Sequence, residues 1–323
     1  MAVCRFVYLA TVCFGAVTVV ALDPARPPGA NFDLSHWKLT LPDAAASEVS
    51  PGQLAAGVTN AFFATGPDGA MVFFCPVTGG TTSGSAYPRC ELRELMDTWN
   101  STVNWTGQGR HRLTAQCRVS QIPSSGKVII GQIHSYSGNA RPLVKLQFNS
   151  GGIEALVKKS PDSDTDTRFT FPDAALNDMI SYQIEVVNGL LSMTVGGVQR
   201  SVNVFQSDPA WADQTFYFKA GNYCQDNSGA TNEGAVVAFY QLSIAHENAP
   251  GPQAVLTNQW VNAGGFFSFT LLGQAASDYV IETSSDLTNW GGLITNSASA
   301  GPLDFTDPVP AVAERRFFRA RSR

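Results

Sequence analysis

Charge is scarce in this sequence. Asp, Glu, Lys and Arg make up only 15% of its 323 residues, where a soluble domain typically carries about 25%. With 44% hydrophobic residues, that scarcity argues against a disordered chain and against a coiled coil. A basic surplus is missing too: 21 Lys and Arg stand against 26 Asp and Glu, a formal net charge of −5. Nucleic-acid binders carry the opposite balance, so no nucleic-acid partner is expected. After residue 21 no run is apolar and long enough to span a bilayer. Motifs of several enzyme classes are absent: no GxSxG of a serine esterase, no HExxH and no P-loop, and no paired-carboxylate strand of a glycosidase. The cysteines show no CxxC spacing, which argues against a zinc site.

The first 21 residues read differently from the rest. Arg5 is their only charge, and residues 6–21 are apolar and small, ending in Val19-Val20-Ala21. A run of about 16 residues falls short of the ~20 that cross a bilayer, so residues 1–21 are read as a signal peptide. The mature protein is then expected to be secreted, extracellular or periplasmic, with no membrane span. Export leaves Cys75, Cys90, Cys117 and Cys224 in an oxidising compartment. Four thiols allow three pairings; one reading sets Cys75 and Cys90 across a hairpin.

What the sequence has in abundance is turns and aromatic residues: 29 Gly, 18 Pro and 20 Phe. Short aromatic and β-branched runs recur at 70–77, 90–96, 111–120, 127–134, 143–148, 182–187, 191–195, 215–221 and 235–244. Turn signals lie between them at Asn149-Ser150-Gly151-Gly152, Asn188-Gly189 and Gly196-Gly197. Helical periodicity is weak, with single turns expected at 53–56 and 208–212. Strands without βαβ alternation predict an all-β, jelly-roll-like antiparallel sandwich over residues 22–248. Asn-Ala-Pro-Gly-Pro-Gln marks a linker at 249–257. Residues 258–323, with strands at 266–272, 279–283 and 316–321, predict a small C-terminal β-sandwich-like module. Five arginines crowd its last nine residues, read as a solvated terminal strand.

Three segments interrupt apolar strands with polar residues. In Arg89-Cys90-Glu91-Leu92-Arg93-Glu94, strand alternation puts Arg89, Glu91 and Arg93 on one face. In Gly131-Gln132-Ile133-His134, Gln132 and His134 share a face and Ile133 takes the other. In Thr215 to Gln225, Tyr217, Lys219, Gly221 and Tyr223 alternate away from Phe216, Phe218 and Ala220. Cationic, amide, imidazole and phenol groups of this kind suit holding a carboxylate while protons move. Taken singly, each segment also reads as ordinary strand surface.

The three segments RCELRE, QIH and YFKAGNYCQ resemble, in order and spacing, the signature segments of alginate lyases of polysaccharide lyase family 7. Residues 32–42 and the Thr81-Thr82-Ser83-Gly84 approach are similar to that family as well, so the resemblance covers roughly 30–246. Two positions depart from the family pattern. Cys90 stands where Ser or Thr is usual, and alternation turns it away from the groove. Cys224 stands where Asn is common, and there it either alters the groove floor or is tied in a disulfide.

The resemblance implies a jelly roll whose concave sheet forms a groove for an anionic polysaccharide, and β-elimination rather than hydrolysis. Arg89 and Gln132, helped by His134, would stabilise charge on the uronate carboxylate. His134 would be the base for guluronate and Tyr223 the acid. On mannuronate Tyr223 would serve as both. Glu91, Arg93, Lys219 and Gln225 would bind neighbouring sugars and orient the catalytic groups. No metal or organic cofactor is implied. Ile133 between Gln and His points toward guluronate-containing blocks. The expectation is an endolytic, monomeric alginate lyase; the alternatives are a lyase for another polyuronate such as glucuronan, or a non-catalytic carbohydrate-binding jelly roll.

Remaining features are read blandly. Asp162-Ser163-Asp164-Thr165-Asp166 imitates the start of an EF-hand but lacks its Gly and final Glu, leaving a solvated acidic loop that borders the groove at most. Asn100-Ser101-Thr102 and Asn104-Trp105-Thr106 are glycosylation sequons. His111 and His246 are taken as separate structural histidines. Trp99 and Trp105 fit either the core or a sugar platform.

Overall fold

The computed structural model describes residues 21–137, 141–247, 255–272, 277–298, 303–310 and 316–322. The segment read as a signal peptide lies outside the described residues except for its last position. Two antiparallel sheets make the main body, as the alternating sequence requires. The concave sheet runs, in spatial order, through Asp166–Phe171, Gly152–Lys158, Pro142–Asn149, Lys127–Ser135, Thr215–Cys224, Arg89–Glu94, Trp37–Thr40 and Glu48–Val49, with Trp105–Thr106 added beside Thr215–Cys224. The second sheet runs through Val198–Asn203, Leu190–Val195, Ile180–Val187, Arg110–Gln121, Gly234–Glu247, Met71–Pro76 and Phe63–Thr65. Sequence-distant strands are neighbours in both, the crossover pattern of a jelly roll.

Alternation decides which side chains fill the space between the sheets. Arg110–Gln121 buries His111, Leu113, Ala115, Cys117 and Val119 and leaves the residues between them partly exposed. Phe73, Phe148, Phe216, Phe218, Phe239, Trp37 and Trp211 are among the bulkiest members of this core. Each fully buried aromatic contributes roughly 2–3 kcal/mol by removal from water. The predicted hairpin turns form with the backbone their residues allow: Asn188 and Gly189 have φ of 48° and 80°, Gly196 and Gly197 of 56° and 82°. Single turns appear at Pro51–Ala55, closed by a Ser50/Gln53 capping box, and at Pro209–Asp213.

The Cys75–Cys90 hairpin does not exist. Met71–Pro76 pairs with Gly234–Glu247 in the second sheet, while Arg89–Glu94 lies in the concave one. All four cysteines are buried free thiols. The Cys90 thiol points into the core and donates to the Phe62 carbonyl at 3.3 Å. Cys224 lies against Cys75; burial and the Cys224 thiol push Cys75 up.

Residues 255–322 contain two three-stranded sheets. One runs through Val255–Val261, Phe266–Leu272 and Leu303–Pro310, the other through Gly291–Ala298, Ser277–Ser284 and Phe317–Ser322. Phe269, Ile281, Phe305, Leu271 and Tyr279 are buried within them. The strand from Val255 begins inside the stretch read as linker. Among the described residues no helix is long and apolar enough to cross a membrane.

Candidate active site

The three polar segments become three adjacent strands: the Arg strand (Arg89–Glu94), the Tyr strand (Thr215–Cys224) and the Gln-His strand (Lys127–Ser135). Register lines their side chains up across the sheet. Lys38 pairs with Arg93, Arg93 with Lys219, Lys219 with Gln132, and Gln132 with Lys145. Paired residues point to the same face about 4.5–5.5 Å apart, so four cations and one amide form a row across five strands. The flanking pairs are Tyr223 with Arg89 and Tyr217 with His134. All of these side chains line one groove of about 820 Å³, together with Gln225, Ser85, Arg141 and Lys158.

Glu91 sits beneath this row with no exposed surface. Its Oε2 meets Lys219 Nζ at 2.5 Å and Arg89 Nη1 at 3.2 Å, and Gln132 Nε2 donates to its Oε1 at 2.5 Å. Burial alone pushes this carboxyl upward, but Lys219, Arg89 and the Gln132 bond outweigh it and hold it below the usual range. Glu91 therefore does not reach into the groove as a sugar-binding side chain. It is the anion that keeps two cations and an amide at fixed positions under the substrate face. Burial and the Arg89 charge, partly opposed by Glu91, bring Lys219 down to about 8. Lys219 therefore remains mostly protonated at neutral pH.

His134 has a defined tautomer. Its Nδ1 lies 2.7 Å from the Ser135 carbonyl, which only accepts, so Nδ1 carries the proton and Nε2 keeps a lone pair. Burial first, then Lys219 and Arg89, lower it to about 4, so the ring is neutral at neutral pH. Tyr217 stacks on it at 5.4 Å, and the Arg93 guanidinium covers the Tyr217 ring at 4.1 Å.

Tyr223 is aimed by a bulge. The pairing of the Tyr strand with the Gln-His strand shifts by one residue between Ala220 and Tyr223. Gly221 sits there with φ of 139°, where an added Cβ would stand 2.8 Å from the Cys90 carbonyl oxygen. Asn222 next to it is buried and donates across the sandwich to the carbonyls of Phe73 and Ala235 at 3.1 and 2.6 Å. Both anchors hold the Tyr223 ring under the Arg89 guanidinium, 3.9 Å from its centroid.

The other expected sugar-binding residues are placed less simply. Arg93 lines the groove, yet its Nη1 donates to the Glu94 carbonyl at 2.6 Å and its Nη2 to Ser101 O and Asn104 Oδ1 at 2.8 Å. It anchors the loop that carries the exposed Trp99. The Gln225 amide leans back on the Tyr223 and Cys224 carbonyls. The acidic loop is engaged at the groove edge: Asp164 pairs with Arg141, and Asp166 lies 2.8 Å from Lys158 and 3.8 Å from Lys145. Among the described residues no group of three or more His, Cys, Asp or Glu side chains is set to hold a metal.

Sequence reasoning left Tyr217 and Ser85 without a role and treated Glu94, His111 and His246 apart. Alternation had already put Tyr217 on the groove face. Ser85 precedes the Arg strand and carried no signal of its own. Glu94 accepts from Trp105 Nε1 and the Phe218 backbone N–H at 3.0 and 2.7 Å, His246 Nε2 lies 2.5 Å from its other oxygen, and the two histidines meet at 2.8 Å.

Comparison with known proteins gives the family. The family model described as alginate lyase matches residues 32–246. The chain belongs to the alginate lyases of polysaccharide lyase family 7. It is similar to alginate lyase A1-II′, described as a member of that family, at 44% identity and a TM-score of 0.66, covering 68% of this chain and 99% of that one. An alginate lyase structure from Pseudomonas aeruginosa is 38% identical, with a TM-score of 0.63, over 67% of this chain and all of that one. A Klebsiella pneumoniae alginate lyase is 28% identical over 300 residues, 74% of this chain and 97% of its own length. The jelly roll and a lyase activity on alginate follow from that membership.

Proposed function

We propose that this enzyme is a secreted, monomeric, endolytic alginate lyase that favours guluronate-containing blocks and uses Arg89, Gln132, His134 and Tyr223 as its catalytic set. The observation that carries this reading is the neutral His134 with its Nε2 lone pair free, beside a phenol and a row of cations. The C5 proton of a uronate becomes removable when its carboxylate charge is neutralised. Arg89 and the second N–H of Gln132 stabilise the charge that builds on that carboxylate. His134 Nε2 takes the C5 proton, the C4–C5 double bond forms as the C4–O4 bond breaks, and the Tyr223 hydroxyl proton passes to O4. On mannuronate the C5 proton lies on the opposite side of the ring, where Tyr223 takes both steps.

The Ile133 of the Gln-His strand supports the guluronate preference; it is fully buried and acts through the backbone beneath His134. Variants of alginate lyase A1-II′ are known with a product GGG and a substrate GGMG, which supports the same substrate class here. Cations extend on both sides of the Lys219–Gln132 pair, which seats sugars on either side of the bond and supports an internal cut. The small, nearly uncharged residues 1–21 support export.

The test is ultraviolet absorbance of the mature protein with poly-guluronate, poly-mannuronate and glucuronan in turn. Elimination leaves an unsaturated, absorbing uronate; hydrolysis and binding do not. Faster growth on poly-guluronate than on poly-mannuronate is expected, with early loss of viscosity and with His134→Asn slower by about 10²–10⁴-fold. Growth on glucuronan alone would move the substrate, and binding without absorbance would favour a carbohydrate-binding module instead.

A further inference from the structure

The loop before the Arg strand brings in a side chain that the steps above do not use. Ser85 Oγ lies 3.0 Å from Tyr223 Oη, 3.0 Å from Arg89 Nη2, 2.9 Å from the Tyr87 carbonyl oxygen and 3.3 Å from the Tyr87 backbone nitrogen. A serine hydroxyl has one proton and two lone pairs. The Arg89 and Tyr87 nitrogens can only donate, so they occupy both lone pairs. No lone pair is then left for Tyr223 to donate into. The contact is made in the other direction, with the Ser85 proton directed to Tyr223 Oη in competition with the Tyr87 carbonyl. The phenolic proton of Tyr223 is thereby turned away from Ser85 and left to the groove that the ring lines.

We propose that Ser85 is a positioning residue for Tyr223, presenting the phenolic proton to the glycosidic oxygen and then donating to the oxyanion that remains. The proposal rests on the reading of Tyr223 as the acid. In that step the C5–H bond breaks toward the base, the C4–C5 double bond forms, C4–O4 breaks and the Tyr223 proton moves to O4. The negative charge ends on Tyr223 Oη, and the Ser85 O–H bond stays intact throughout. A hydrogen bond to a charged oxygen is roughly twice as strong as one to a neutral acceptor. The Ser85 proton therefore leaves the Tyr87 carbonyl and settles on Tyr223 as the charge forms. Arg89 assists at two points, with Nη2 polarising the serine hydroxyl and its guanidinium carbon 3.9 Å from the phenol centroid. One short turn thus links the carboxylate-binding arginine to the acid.

The experiment compares wild type, Ser85→Ala and Ser85→Thr, each as the full chain, on poly-guluronate in H₂O and D₂O. Ser85→Ala should lower kcat about 10- to 100-fold, the size expected for one hydrogen bond to a charged group, with KM within about twofold. Its solvent isotope effect on kcat should rise, because proton transfer from Tyr223 becomes more limiting. Ser85→Thr keeps the hydroxyl and should retain at least about a third of wild-type kcat. An unchanged kcat in Ser85→Ala would overturn the proposal, as would an equal loss in the alanine and threonine variants or a loss confined to KM. Wild-type turnover separates the two levels: with it, those outcomes remove only the role of Ser85. Without it, the lyase reading and this inference fall together.

Discussion

Glu91 and Glu94 stand three residues apart on the Arg strand, and both are buried, at 0% and 1% exposure. Alternation sends Glu91 to the groove side and Glu94 into the sandwich. Glu91 is satisfied by charge, from Lys219 and Arg89, and by the Gln132 amide. Glu94 is satisfied by the Trp105 indole, the Phe218 backbone and His246. His111 donates from Nε2 to the Gln108 carbonyl at 2.6 Å, and burial lowers it, so it is neutral and its Nδ1 accepts from His246. The two carboxylates show that one strand solves the same desolvation problem twice. Glu91 is neutralised by groups that also face substrate, so it couples stability to chemistry. Glu94 is hydrogen-bonded by groups of the core and stitches the Arg strand, the Tyr strand and Gly234–Glu247 together.

Removing each carboxylate should separate these roles and gives the largest effects. Glu91→Ala strands two cations and Glu94→Ala strands two buried N–H groups, so each should lose about 3–5 kcal/mol in urea unfolding. Turnover of the folded fraction should fall at least about 100-fold for Glu91→Ala and less than about 10-fold for Glu94→Ala. Equal losses of turnover would erase the distinction.

A second, intermediate effect is in pH dependence. Protonation of His134 near pH 4 and loss of the Lys219 proton near pH 8 should bound the activity on the acid and alkaline sides. The sign for the variant follows from the causes: burial and Arg89 lower Lys219, and Glu91 opposes them. Glu91→Gln removes that opposition, so the alkaline limb should move to lower pH, while Glu94→Gln leaves it in place. A pH–rate profile in which both variants keep the wild-type limb would contradict the assignment of Lys219.

The smallest effect concerns a third carboxylate, partly exposed at the groove edge. Asp166 is ion-paired with Lys158 and Lys145, so it is expected to compete with an anionic substrate for them. Asp166→Asn should lower KM for the polymer about two- to threefold at low salt, with kcat unchanged, and the gain should vanish as salt screens the groove. A higher KM would mean that Asp166 holds these lysines in place for substrate instead.

Much of the site was legible because strand periodicity is local. Arg89 and Arg93, Gln132 and His134, and Lys219 and Tyr223 could be assigned to faces from spacing alone. Most predicted strands recur within a few residues of their expected bounds. The burial of Glu91 beneath Lys219 and Arg89 was not legible, because alternation gives the face of a side chain but not its depth. The cysteine hairpin failed because residues 75 and 90, close in sequence, enter different sheets. His111 and His246 looked like solitary residues because 135 positions separate them, and only the pairing of Arg110–Gln121 with Gly234–Glu247 brings them opposite each other.

By itself the sequence determined the all-β class, the side of each strand that is polar, the three chemical segments and the family they resemble. Those properties depend on neighbours one or two residues away and on composition. The tertiary structure decided the order of the segments across the sheet, the burial of Glu91 beneath two cations, the tautomer of His134 and the contact of Ser85 with Tyr223. Each of these depends on hydrogen bonds and charges between residues far apart in the chain, where burial strengthens electrostatic interactions and no local pattern records which partners will meet.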